Sequence, residues 1–289
     1  MIGSSLKLTV VSLVAAAALL LSGCVTTTTS SKPTPSGSGA SPPPSTPAPA
    51  GPGQRDLVTA SDESDASRRG RLRLELATRY YAQGQFTTAL DEVKRSLAAD
   101  PNHAPSYNLR GLIYQGLDEV QLADESFRRA LQISPGDADS LHNYGWFLCQ
   151  QRRFAEAEAQ FNAAVAQPQY RDRSKSMLAM GVCQARAGQL ATAEQTLQRS
   201  FDLDPGNPAT AMNLADVLYK RGEFSRARFY VGRVNDVREY SNSESLWLAV
   251  RIENKLGNKA AVSNIGSQLR SRYPSSRETQ RLDKGQYDD

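Results

Sequence analysis

Hydrophobic residues divide the chain into three regimes. From Leu8 to Leu21 the sequence is almost continuously apolar, with one basic residue, Lys7, just ahead of it. From Thr26 to Gly53 it contains no aromatic residue and no aliphatic larger than Ala. From about residue 70 onward, apolar residues recur every three to four positions in short segments separated by polar turns. That is the period of amphipathic helices, with one apolar stripe per helix facing a core. The third regime therefore predicts an all-α domain built from many short helices.

The helical pattern also repeats at long range. Alanines stand at 89, 123, 157, 193 and 227, spaced by 34, 34, 36 and 34 residues, in the settings "GQFTTAL", "VQLADES", "RRFAEAE", "GQLATAE" and "GEFSRAR". Upstream of them lie Ala77, Gly111, Gly145, Gly181 and Ala215, and downstream Pro101, Pro135, Pro168 and Pro205. This is the tetratricopeptide pattern: a helix–turn–helix unit of about 34 residues with small residues at the helix crossing and a closing proline. The small residues let the two helices approach closely, and the proline ends the second helix by removing a donor and clashing with the turn before it. Tyr80, Tyr114, Phe127, Phe154, Phe161 and Phe201 are the expected fillers between units. A weaker sixth copy reads "SLWLAVRIENKLGNKAAV" and closes at Pro274. The predicted repeats occupy 70–103, 104–137, 138–171, 174–207, 208–241 and 243–276, with 277–289 as a C-terminal cap and tail. Six such pairs stacked in one direction make a right-handed solenoid with a concave inner face.

The N-terminal regimes explain each other. An apolar run of 14 residues is short of the roughly 20 needed to span a bilayer and fits the core of a secretory signal. It closes on Leu21-Ser22-Gly23-Cys24, which resembles a bacterial lipobox. That resemblance implies cleavage after residue 23 and a lipid anchor on Cys24, and Val25 after the cysteine implies the outer membrane rather than the inner one. The alternatives are a cysteine that happens to end an ordinary signal peptide, or an uncleaved membrane helix. A three-chain lipid would hold far more firmly than a single acyl chain, whose binding is marginal. The tract that follows has eight prolines between Thr26 and Gly53. It cannot bury enough apolar surface to offset its ordering entropy, and its prolines bias it toward extended conformations. Taken as 24–69, this linker has a root-mean-square reach of roughly 35–40 Å as a flexible coil.

Composition removes other possibilities. The net charge of +4 falls to about +3 once Lys7 is lost with the signal, and no block of like charge appears, so nothing points to nucleic acid. Besides Cys24 only Cys149 and Cys183 occur, both on apolar stretches ("WFLC", "MGVC"). They read as small buried hydrophobes, with a mutual disulfide as the alternative. His103 and His142 lie far apart without a Cys/His cluster, and there is no phosphate loop, HExxH or nucleophile elbow. The sequence thus predicts no enzyme, no metal, no cofactor and no small-molecule substrate. What remains is protein binding on the first helix of each repeat. Its groove-lining positions fall on Leu74 and Tyr81; on Asn108, Leu112 and Gln115; and on His142, Trp146 and Cys149. Further along they fall on Leu178 and Val182; on Met212, Asp216 and Tyr219; and on Trp247 and Arg251. The partner-binding set expected from these is Leu74, Tyr81, Leu112, Trp146, Leu178, Met212 and Tyr219, largely apolar or aromatic as interaction patches often are. Part of it could instead belong to the core between repeats.

The third repeat, "LHNYGWFLCQQRRFAEAEAQF", the fifth, "MNLADVLYKRGEFSRARFYVGRV", and the terminal "LRSRYPSSRETQ" are more particular than a tetratricopeptide consensus demands. With the lipobox they resemble the type IV pilus biogenesis lipoproteins of the PilF/PilW family. The resemblance implies an outer-membrane lipoprotein on the periplasmic face that binds pilus secretin subunits and promotes their localisation and multimerisation there. Two other classes of tetratricopeptide lipoprotein stand as rivals: a scaffold of outer-membrane β-barrel assembly, and an adaptor recruiting peptidoglycan hydrolases.

Overall fold

The structure is a computed structural model that describes residues 63–287; the apolar run, Cys24 and most of the Pro/Ser/Thr-rich linker lie outside the described residues. Six helix pairs follow one another: α1 (Asp65–Ala82) with α2 (Phe86–Ala99), α3 (Ala104–Gly116) with α4 (Val120–Ile133), and α5 (Ala138–Gln150) with α6 (Phe154–Val165). Then come α7 (Arg173–Arg186) with α8 (Leu190–Leu203), α9 (Pro208–Lys220) with α10 (Phe224–Asn235), and α11 (Ser243–Lys255) with α12 (Lys259–Arg272). A short α13 (Arg277–Asp283) closes the array. The described residues contain no strand and no helix long and apolar enough to cross a membrane. The all-α solenoid of tetratricopeptide repeats is the fold the 34-residue period implied.

Helix α1 starts at Asp65, so the stretch 65–69 counted with the linker is helix instead. The local reason is a cap: the Ser64 hydroxyl accepts from the Ser67 amide, and Asp65 places a carboxylate in the first turn, where the helix dipole favours it. The prolines act as stops, each following the last residue of a second helix by two or three positions: Pro101 after Ala99, Pro135 after Ile133, Pro168 after Val165 and Pro205 after Leu203. The turn inside each pair needs one left-handed residue. Gly84, Gly188, Gly222 and Gly257 supply it at φ of 72–79°, while Asp118 (61°) and Arg152 (60°) adopt it without glycine's freedom.

The small residues behave as the pattern demands. Ala89, Ala123, Ala157, Ala193 and Ala227 are all fully buried. A methyl group added to Gly111 would meet the Phe127 ring at 2.8 Å, and one on Gly181 would meet Leu197 Cγ at 2.6 Å. The glycine therefore marks where the second helix presses a large side chain onto the first. Of the expected fillers, Phe127, Phe161 and Phe201 are buried, and Tyr80, Tyr114 and Phe154 are half-buried at the edge of the same clusters. Hydroxyls bridge successive units: Ser96 Oγ lies 2.7 Å from Ser106 Oγ and donates to the Gly70 carbonyl at 2.6 Å, and Ser200 Oγ lies 3.3 Å from Thr210 Oγ1.

The cysteines correct the sequence reading. Cys149 and Cys183 form a disulfide between α5 and α7, their Cα atoms 5.7 Å apart. Both are buried, as expected of apolar stretches, but the contact of first helices in the third and fourth repeats brings the sulfurs together. Their separation of 34 residues is two short of the 36 between Gly145 and Gly181, so the cysteines are not equivalent positions, and the packing of neighbouring first helices is what brings them together.

Candidate functional site

First helices of successive repeats touch one another along the whole stack, α1 on α3, α3 on α5, α5 on α7, α7 on α9 and α9 on α11, whereas no two second helices touch. A stack whose first helices converge and whose second helices spread curves toward the first-helix side. Every residue of the expected partner-binding set lies on one of these first helices and is half-buried: Leu74 and Tyr81 on α1, Leu112 on α3, Trp146 on α5, Leu178 on α7, Met212 and Tyr219 on α9. Each packs one edge onto a core cluster, and Leu112 joins two clusters. The face is thus continuous with the core along its length, and the core fixes the rotamers of its residues.

Polar groups tie neighbouring helices together along the same side. Asn143 Nδ2 donates to Asn108 Oδ1 at 3.2 Å, and Gln115 Nε2 donates to Gln150 Oε1 at 2.7 Å. His142 Nδ1 lies 2.8 Å from Ser176 Oγ, which also bonds the Tyr170 hydroxyl at 2.8 Å. Burial pushes the His142 pKa down to about 4, helped by Lys175 and opposed by Asp172, so the ring is neutral at pH 7. Burial alone pushes the Tyr81 hydroxyl up. Among the described residues, no group of three His, Cys, Asp or Glu side chains is placed to hold a metal ion.

Two arginines change the character of the face, and sequence spacing did not single out their role. The Arg186 guanidinium lies 5.1 Å from the centre of the Trp146 ring, and that of Arg251 lies 4.6 Å from the centre of Tyr219. Each comes from the repeat after the ring it covers, a cation–π contact that also screens the aromatic from water. The strip is therefore aromatic and cationic together. Three positions from the sequence's wider set are corrected. Cys149 is locked in the disulfide. Trp247 is 5% exposed, stacked on Tyr287 with ring centres 6.0 Å apart, and so belongs to the C-terminal core. Arg251 is buried and reaches back to the fifth repeat. Trp247 does take the place of Met212, 35 residues on, as the caps Asn207 and Asn242 and the turn glycines Gly222 and Gly257 do, but at this end Leu282 of α13 and Tyr287 pack over it.

Comparison with known proteins agrees with this architecture. Tetratricopeptide repeat profiles match residues 74–138, 145–208, 126–159 and 184–238. The chain is 30% identical over 207 residues to the type IV pilus assembly protein PilF of Pseudomonas aeruginosa, covering 72% of this chain and 82% of that protein. Among solved structures it resembles that of PilW, a widely conserved type IV pilus biogenesis factor, with a TM-score of 0.69 and 33% identity over 74% of this chain and 97% of that one. A Pseudomonas aeruginosa PilF structure superposes with a TM-score of 0.68 and 27% identity, covering 77% of this chain and all of the other.

Proposed function

Because the chain belongs to the PilF/PilW family of tetratricopeptide-repeat proteins of type IV pilus biogenesis, we propose that it is an outer-membrane lipoprotein that binds pilus secretin subunits on its first-helix face. In this reading Cys24 carries the lipid, the Pro/Ser/Thr-rich tract gives the solenoid reach, and binding promotes secretin localisation and multimerisation in the outer membrane. The observation that supports it most is the strip running through Leu112, Trp146 and Leu178 at the middle of the array, half-buried, apolar and set on rigid helices. Such a face suits a partner segment with an apolar stripe, and Arg186 over Trp146 favours an acidic or aromatic residue opposite it.

Tryptophan is the residue type most enriched among energetic anchors of interfaces, with truncation costs of about 2 kcal/mol or more. Trp146→Ala should keep its helix content and weaken secretin capture about thirtyfold in a binding titration. If it folds and binds normally, the partner uses another face. Capture by the wild-type chain of barrel-assembly subunits or of peptidoglycan hydrolases in place of secretin would overturn the assignment of partner.

A further inference from the structure

In this stack each second helix packs on the first helix of the next repeat: α2 on α3, α4 on α5, and so on to α10 on α11. The residue five places before the Gly/Ala of each first helix marks that contact. It is Ser106, Ser140, Ser176 and Thr210 in repeats two to five, small hydroxyl residues with no exposed surface at all. Helix α1 has no preceding second helix among the described residues, and there the same position is Leu72, 53% exposed.

Around Leu72 lies an open cleft between α1 and α2, with Leu76, Ala98 and Ala99 on its floor. Its rim is three arginines, Arg69, Arg73 and Arg95, and no carboxylate lines it. Glu92 lies beneath, 8% exposed, taking Arg73 Nη1 at 3.0 Å and Arg95 Nη1 at 2.8 Å, while both guanidiniums stay exposed. Arg69 forms no ion pair among the described residues, so three cations stand against one buried anion.

We propose that this open N-terminal face is a membrane-contact surface, with Leu72 entering the interfacial layer of an anionic phospholipid bilayer while Arg69, Arg73 and Arg95 meet its headgroups. The proposal rests on the reading of Cys24 as a lipid anchor, which would bring the face to a bilayer. Two observations select lipid over other occupants. A stacked helix, whether from a partner or from a second copy, approaches closely enough in this fold to require Ser or Thr at the marker position, and leucine is too large for that crossing. An apolar side chain ringed by arginines instead suits a soft interface that admits the one and attracts the others. The face also lies on the helix that the linker runs into, at the end of the solenoid closest in sequence to the anchor.

The test uses the mature chain with Cys24→Ser, unlipidated, sedimented with vesicles of phosphatidylglycerol and, separately, of phosphatidylcholine. Binding to phosphatidylglycerol should be at least about tenfold tighter. Leu72→Ser and Arg69→Glu should each weaken it by roughly fivefold or more, with thermal melts unchanged because both side chains are exposed. Phe229→Ser, which removes another exposed apolar residue, should leave binding intact. Equal partition into both lipids, or insensitivity to Leu72→Ser and Arg69→Glu, overturns the proposal. So does a concentration-dependent dimer that Leu72→Ser abolishes, which would make the occupant a second copy. The anchor is tested apart from this by fractionating cells that express Cys24→Ala. Loss from the membrane there, combined with no vesicle binding in vitro, would keep the anchor and discard the face.

Discussion

The two ends of the solenoid solve the same problem differently. At the C-terminal end α13 takes the place a seventh first helix would occupy. It lays Leu282, 6% exposed, against the fully buried Leu269 and within 3.1 Å of where a side chain on Gly266 would begin. Thr279 Oγ1 donates to the Tyr273 carbonyl at 2.7 Å, Arg270 pairs with Asp283 at 2.7 Å, and Tyr287 stacks on Trp247. At the N-terminal end no described element covers α1, and Leu72 faces outward. A repeat array needs its terminal apolar faces covered or made polar. One end meets this with a cap, and the other keeps an apolar centre inside a charged rim. Among the described residues the covering is incomplete at one end only, the end where we place the membrane contact.

This contrast can be broken from either side. Leu282→Ala should have the largest effect, because truncating a buried leucine costs about 2–5 kcal/mol. Denaturant unfolding should show the loss, and hydrogen exchange should find faster exchange in α13 and at the end of α12. Stability unchanged by Leu282→Ala would mean that α13 is an ornament and the two ends are alike. A substitution inside the array gives the reference scale. Gly111→Ala drives a methyl group into the Phe127 ring and should cost about 1–3 kcal/mol, lowering the thermal midpoint. Because each repeat contacts only its neighbours, the faster hydrogen exchange should centre on α3 and α4 and spare α13. Leu72→Ser should do least, within about 0.5 kcal/mol in the same unfolding assay. A large loss there would show that the N-terminal face is internal core, and would end the contrast.

The repeat period made most of the architecture legible. Spacing of small residues and prolines alone placed six helix pairs, and the glycines and alanines at 111, 145, 181, 89, 123 and 157 sit at crossings because sterics allow nothing larger. Periodicity also put Leu74, Tyr81, Leu112, Trp146, Leu178, Met212 and Tyr219 on first helices. The start of α1 was harder to see. "ESDASRR" reads as polar linker until Ser64 is recognised as a cap, and a cap signal is only as strong as the apolar pattern behind it.

Three features belong to the tertiary structure alone. The bridge between Cys149 and Cys183 joins positions that are not equivalent in their repeats; it exists because neighbouring first helices touch, a fact about stacking that a period does not contain. The guanidiniums over Trp146 and Tyr219 arrive from adjacent repeats along directions set by helix phase, and a shift of one residue in phase moves a side chain by about 100° around the helix. The exposure of Leu72 and the burial of Trp247 invert what either residue suggests when read by itself, since burial depends on whether another helix follows or precedes. Sequence determined the unit and its order, because those are set by local sterics and period. Which faces stay open was decided by the stack, because a face is closed only by its neighbour.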